Sequence, residues 1–183
     1  MRGKPIETVQ KCVQRLLQEL RGESATALAW MSVITYADEV AQIFPLTEVQ
    51  DVMLPVLEVG GQADIDKALQ KVAECAAQGQ RRNYPPILWI FSNGVCFGGI
   101  ENGLNALQMV EWGYIGVVCA GENPKISLLQ QITKNTNPIE NFDDCLKHFA
   151  DYRWWWHPHV RDDWHADWGI YDPFSDTVTY DND

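Results

Sequence analysis

The residues best suited to chemistry lie near the carboxyl terminus of the sequence. Three histidines and three aspartates cluster there: His157, His159, His165, Asp162, Asp163 and Asp167. Imidazole and carboxylate groups can bind Zn²⁺, and alternate positions such as His157 and His159 would share one side of a strand. However, Pro158 separates these two residues, and the spacing matches no established zinc motif. We therefore expect a solvated acidic tail with aromatic anchors. A metal site formed by His157, His159, His165 and Asp163 is the alternative.

A second candidate is Cys96, in the glycine-rich stretch SNGVCFGG (92–99). The stretch lacks the lysine of a Walker loop and the GxGxxG spacing, which favours a plain turn between a strand and a helix. A nucleophilic cysteine also needs a histidine base, and all four histidines lie at or beyond His148. We therefore interpret Cys96 as a structural thiol, and we predict no catalytic residue and no enzyme.

The tryptophans point to binding rather than to a reaction. Trp154, Trp155 and Trp156 cannot all point inward from one helical turn, and large aromatic side chains are common in interface hot spots. Two interpretations stay open: the tail tryptophans contact a partner, or they cover the sheet of their own chain. The candidates for partner contact are Trp154, Trp155, Trp156, Trp164 and Trp168. Trp30 and Trp89 lie inside predicted strands and are expected in the core.

Composition narrows the class of protein. The 183 residues carry a formal net charge of −11, so nucleic acid is not expected as a partner, because phosphate binding needs clustered Lys and Arg. The five cysteines form no CxxC pair and are typical of a reducing compartment. The sequence shows no signal peptide and no stretch of membrane-spanning length. These features predict a soluble cytoplasmic domain that does not bind a membrane.

Apolar periodicity predicts alternating strands and helices. The predicted helices cover about 5–21, 64–78, 100–113, 126–133 and 143–156, and the predicted strands cover 28–40, 41–46, 83–94, 114–121 and 138–142. Strand 28–40 has the near-continuous apolar character of a strand buried on both faces. This order predicts a mostly parallel sheet flanked by helices. No period continues beyond Trp154, so we expect a domain at 1–153 and an irregular Trp- and Asp-rich extension at 154–183.

Several segments resemble one family in order and spacing. They are GKPIETVQ, LAWMSVITYADEVAQIFPLTE, LPVLEVGGQADIDKALQKVAE, PPILWIFSNG, GVVCAGENPKISLLQQIT and DDCLKHFADY, which together cover about residues 3–152. The sequence is thereby similar to von Willebrand factor A-like domains, in particular the bacterial tellurium-resistance TerY type. The resemblance implies a Rossmann-like fold and an association with tellurium resistance and the stress response. It also implies a metal-ion-dependent adhesion site at the carboxyl ends of the central strands.

That implied Mg²⁺ site is expected to be degenerate. The family takes oxygen ligands from an Asp-x-Ser-x-Ser run after its first strand, a Thr after a Gly-Gly turn and an Asp after the fourth strand. MRGKPIE begins on the Met that follows the Asp-x-Ser-x-Ser run, Gln62 replaces the Thr, and Asn93 replaces the Asp. Amide oxygens bring no negative charge to Mg²⁺, so we expect no cofactor. The loops that remain as binding candidates carry Gly61, Gln62, Asp64, Ser92 and Asn93.

The resemblance also raises the question of what replaces the family's first strand, which lies between the strands at 28–36 and 86–92. The neighbouring strands could pair directly, a partner could donate a strand, or the tail segments 168–176 or 176–183 could supply one. Direct pairing and self-supply are favoured over donation.

Together these inferences predict a non-enzymatic protein-interaction module whose partner is another protein. The first alternative is a metal-binding protein or metal-dependent hydrolase that uses the histidine and aspartate cluster of the tail. The second is a structural subunit of a larger assembly, which leaves an oligomer or a strand-donating partner open.

Overall fold

The computed structural model describes residues 4–22, 29–58, 60–61, 63–79, 85–96, 98–147, 170–172 and 177–179. By its internal contacts the chain divides into two compact units, Met1–Phe142 and Asp143–Asp183. The predicted boundary between residues 153 and 154 lies outside the described ranges and stays a prediction.

The first unit alternates strands and helices, so the predicted α/β class is confirmed. Its helices are α1 (Lys4–Gly22), α2 (Ile65–Gly79), α3 (Glu101–Gln108) and α4 (Ile126–Leu129). Its strands are β1 (Trp30–Tyr36), β2 (Val40–Glu48), β3 (Ile87–Ser92), β4 (Tyr114–Cys119) and β5 (Thr136–Pro138). A 3₁₀ turn at Ile139–Asn141 follows β5.

Three strands form a parallel sheet in the order β3-β4-β5. The register of β3 and β4 runs from Ile87 opposite Tyr114 to Ser92 opposite Cys119. The central strand β4 carries the apolar run YIGVVC, and Val117 and Val118 are fully buried. A near-continuous apolar strand is typical of a parallel sheet covered on both faces, and β4 has this burial.

β1 and β2 form a separate antiparallel sheet. The prediction of one strand at 28–40 was wrong in its length, because β1 ends at Tyr36 and a turn closed by Ala37 N–H and the Glu39 carbonyl (2.9 Å) leads into β2. Burial on both faces was also wrong, since the residues of β1 are half-buried or exposed. Trp30, predicted in the core, is 39% exposed. β1 has β2 as its one ladder partner among the described strands, which leaves its apolar side chains incompletely covered.

Further boundaries differ from prediction, and the helix predicted at 126–133 ends at Leu129. The helix predicted at 100–113 ends at Gln108, where the Trp112 indole N–H donates to the Leu107 carbonyl (2.9 Å) and satisfies one of the last acceptors. The strand predicted at 138–142 was also wrong. The strand begins two residues earlier, at Thr136–Pro138, and most of the predicted segment forms the 3₁₀ turn.

Helix α1 follows the predicted periodicity and covers one face of the strands. Its buried residues are Val9, Cys12, Val13, Leu16 and Leu17. Its polar side chains hold the segment after β2. The Arg21 guanidinium donates to the Val49 carbonyl (2.7 Å) at one end, and the Gln10 side chain accepts from Leu57 N–H (2.7 Å) at the other.

Helices α2 and α3 form the opposite layer and pack closely because Gly103 has no side chain. A Cβ at Gly103 would lie 2.7 Å from the Leu69 Cβ and 2.8 Å from the Asp66 carbonyl oxygen. Ile65 and Leu69 of α2 join Val117 of the sheet in one buried cluster.

In the second unit, the described residues include two short strands, β6 (Ile170–Asp172) and β7 (Thr177–Thr179), which pair antiparallel. The described part of the extension predicted at 154–183 thus contains one short antiparallel strand pair. Each strand falls in one of the two tail segments considered as a substitute first strand, and the structure pairs the two with each other.

Candidate functional site at the carboxyl edge of the strands

The loops that follow β1 and β3 meet at one edge of the first unit. Tyr36 ends β1 and Ser92 ends β3, and the Ser92 side chain lies close enough to Tyr36 to lower the pKa of its phenol. Ser92 is almost completely buried, and its Oγ also accepts from the Gly94 N–H (3.0 Å). Ser92 is therefore buried and bonded within its own turn, rather than displayed to a ligand as the sequence predicted.

Tyr36 is a residue of this edge that the sequence analysis did not identify. Burial of the phenol raises the pKa of Tyr36 to about 12, although the Ser92 side chain acts in the opposite direction. The side chain packs against the cluster that contains Ile65 and Ile90. The sequence does contain one indication of this position, since Tyr36 is the last residue of a β-prone run and directly precedes Ala37–Asp38.

Asn93 is placed at the edge as predicted, but its amide oxygen is already engaged. Asn93 Oδ1 accepts from the Val95 N–H (3.0 Å), and the Asn93 carbonyl accepts from the Lys125 N–H (2.8 Å). Gly94 adopts φ +68°, and a Cβ there would lie 2.7 Å from the Lys125 carbonyl oxygen, so the turn requires glycine. The loop is therefore fixed by its own hydrogen bonds.

Asp64 is the N-cap of α2. Its Oδ1 accepts from the Lys67 N–H (3.0 Å), and its Oδ2 lies 2.9 Å from the Lys67 ammonium nitrogen. The hydrogen bond from the backbone of Lys67, followed by that from its side chain, holds the pKa of Asp64 below its usual value. The role of Asp64 in this geometry is to start the helix.

Gly61 lies against Asp38, which belongs to the turn between β1 and β2, so this turn is part of the same region. Its φ is +47°, and a Cβ at Gly61 would overlap the Asp38 carboxyl group. Asp38 is thus a further edge residue that the sequence analysis did not identify. Gln62 lies outside the described residues.

Asp66, in the first turn of α2, accepts hydrogen bonds from the first turn of α3. Its Oδ1 accepts from the Gly103 N–H (2.6 Å), and its Oδ2 accepts from the side chains of Asn102 (3.2 Å) and Gln70 (2.9 Å). A carboxylate placed against the first turn of α3 is favoured by the dipole of that helix. Asp66 therefore ties α2 to α3 beside the edge.

Comparison with known families identifies the domain to which these loops belong. The family model of the von Willebrand factor type A domain matches residues 1–149. The chain belongs to this family. A search of curated proteins found no match. Von Willebrand factor A domains commonly mediate protein–protein interactions.

Mg²⁺ takes hard oxygen ligands in octahedral geometry. Of the described edge residues in this von Willebrand factor A domain, Asn93 Oδ1 and both Asp64 oxygens already interact with Val95 and Lys67. Within the described ranges, no group of three or more His, Cys, Asp or Glu side chains is placed to hold a metal ion.

Cys96 lies beside the edge, with its thiol donating to the Gly98 carbonyl (3.5 Å). It packs against the same buried cluster as Tyr36. Among the described helices of the domain, none is long and apolar enough to cross a bilayer.

The remaining candidates lie outside the described residues. They are Trp154, Trp155, Trp156, Trp164 and Trp168 for partner contact and His157, His159, His165 and Asp163 for metal binding. Their predicted roles stay predictions.

Proposed function

We propose that this von Willebrand factor A domain is a non-enzymatic, TerY-like interaction module in the cytoplasm, which binds a partner protein without a Mg²⁺ bridge. The proposal is supported by family membership and by the engagement of Asn93 and Asp64 in hydrogen bonds of their own loops. The TerY likeness, and the tellurium and stress association with it, rest on the segments quoted above.

The proposed contact region is the carboxyl-edge surface, defined as Asp38, Gly61, Asn93, Val95 and Ile126. Val95 is 38% exposed and Ile126 is 46% exposed, and each lies within two residues of the Asn93–Lys125 hydrogen bond. Apolar side chains on a loop fixed by backbone hydrogen bonds can bind with little loss of conformational entropy. The observation that carries the proposal is this combination of exposed apolar side chains and engaged oxygen ligands.

The test begins with capture of a partner on the full chain, followed by titration of the purified partner. Val95→Lys is expected to weaken binding by about tenfold or more, because a charge would be buried at the interface. Met109→Lys is the control, since Met109 is 85% exposed and follows the end of α3 rather than the edge loops. Equal effects of the two substitutions would contradict the carboxyl-edge surface.

A further inference from the structure

The hairpin of β1 and β2 leaves several apolar side chains partly exposed. Trp30 of β1 is 39% exposed, and Ile43 and Leu46 of β2 are 39% and 43% exposed. Phe44, which lies between the last two in sequence, packs instead against the buried cluster that contains Leu17. β2 is therefore anchored to the core by one side chain, while apolar neighbours along the same strand are presented to solvent.

β2 is irregular where these exposed side chains lie. Between Met31 and Val33, two steps along β1 are opposite three steps along β2, and between Val33 and Ile34 one step is opposite two. The additional residues of β2 fall in the intervals that contain Ile43 and Leu46. A bulge leaves its extra residue unpaired and changes the direction in which a side chain points.

The same irregularities make β2 a poor template for an added strand. Pro45 lies between Ile43 and Leu46 and has no N–H to donate to a neighbouring strand. Bulges and proline are features by which edge strands avoid pairing with other chains. A partner would therefore contact this strand through side chains, which favours a helix with an apolar face over an added strand.

The charge of this region has one sign. Residues 22–66 include eight Asp and Glu residues but no Lys, Arg or His. Glu39 directly precedes β2 and Glu48 ends it, and neither carboxylate forms an ion pair in the part of the chain that the structure describes. Exposed apolar side chains between these two carboxylates favour a partner that carries Lys or Arg beside its own apolar residues.

We propose that the hairpin surface, defined as Trp30, Glu39, Ile43, Leu46 and Glu48, binds a basic amphipathic helix of a partner protein. This inference goes beyond the proposed function, because it assigns a second binding surface. β2 has nine residues and spans at most about 30 Å, a length that about 20 residues of helix cover. The apolar face of that helix would lie on Ile43 and Leu46, with its cations near the two carboxylates.

Charge favours a partner protein over other copies or segments of this chain. The net charge of −11 makes a second copy repel the first. The segment 151–183 contains eight Asp and two Arg, so its composition does not complement an acidic surface either.

The test is a titration of the full ¹⁵N-labelled chain with a probe peptide at physiological salt. The probe is a capped peptide of about 20 residues, made of Leu and Lys in the pattern of a helix with one apolar and one basic face. Saturable shifts of the amide signals of Ile43 and Leu46 are expected. The same peptide with Glu in place of every Lys is the control, and it should bind at least about tenfold more weakly.

Two pairs of glutamates separate the hairpin surface from attraction to any acidic protein. Glu39→Gln combined with Glu48→Gln should weaken probe binding by about fivefold or more. Glu111→Gln combined with Glu140→Gln removes the same net charge from exposed carboxylates elsewhere and should change the affinity by less than about twofold.

The apolar part of the hairpin surface has its own pair of variants. Ile43→Ser combined with Leu46→Ser leaves the charge unchanged and should weaken probe binding by about tenfold or more, because it removes apolar contact area. Met109→Ser is the control, since Met109 is exposed beyond the end of α3, and it should leave the affinity unchanged.

Four results would overturn the proposal. The first is an absence of saturable shifts at Ile43 and Leu46, and the second is equal loss of affinity in the two glutamate pairs. The third is equal binding of the peptide that carries Glu. The fourth is a shift of these amides that rises with protein concentration in the chain alone, which would assign the surface to a second copy. The titration does not use the partner captured for the carboxyl-edge surface, so failure of one proposal leaves the other standing.

Discussion

The parallel sheet and the β1–β2 hairpin contain similar apolar sequences but differ in burial. Val117 and Val118 of β4 are fully buried, whereas Ile43 and Leu46 of β2 are among the exposed large side chains. β4 has a strand on each side, while β1 and β2 have each other as ladder partners among the described strands. Apolar character alone therefore does not fix burial, which depends on which neighbours cover a strand.

The largest expected contrast is between two leucines. Leu129 is fully buried against the parallel sheet, and Leu46 is 43% exposed on the hairpin. Leu129→Ala should lower the free energy of unfolding by about 3 kcal/mol, because it removes buried apolar surface and leaves a cavity. Leu46→Ala should cost less than about 1 kcal/mol. Urea unfolding measures both, and similar losses would contradict the assigned difference in burial.

A smaller effect is expected at the helix pair that covers the parallel sheet. Gly103→Ala would place a Cβ against the Leu69 Cβ and the Asp66 carbonyl, so unfolding should become easier by about 2 kcal/mol. Gly60→Ala is the control, because no atom lies within 4 Å of a Cβ there. Thermal unfolding of both variants measures this difference in stability. A Gly103→Ala protein as stable as Gly60→Ala would contradict the close approach of α2 and α3.

The smallest effect concerns the link between the two regions. Tyr36→Phe should cost about 1 kcal/mol, since it removes a buried hydroxyl that interacts with the Ser92 side chain. A double-mutant cycle with Ser92→Ala should show coupling, and purely additive losses would contradict the link.

The same tyrosine predicts a pH dependence. Its folded-state pKa of about 12 lies above the ordinary value of 10.0, so the folded state binds more protons between these values. The stability contributed by Tyr36 should be complete below about pH 10 and decline as the pH rises toward 12. The Tyr36→Phe protein should lack this part of the decline.

The order of the elements could be predicted because α1, α2 and β4 each carry a strong local signal. α1 has an apolar stripe from Val9 to Leu17, and Asp64 caps α2. The burial of β1 could not be predicted. Its pattern of apolar residues is the same whether or not a second strand pairs with its other edge.

The sequence predicted which loops form the candidate site, but not what their residues do there. Asn93 and Asp64 were identified from family spacing, yet their oxygens are engaged by Val95 and Lys67. Such hydrogen bonds form between residues two or three positions apart, and only the backbone conformation decides whether they do. Tyr36 and Asp38 were missed because their proximity to Ser92 and Gly61 is a tertiary relation.

The most direct test of the interaction module is the affinity of its captured partner in Mg²⁺ and in EDTA. The account predicts values that agree within about twofold, because no Mg²⁺ bridge contributes to binding. Loss of about tenfold or more of the affinity in EDTA, restored by Mg²⁺, would contradict it.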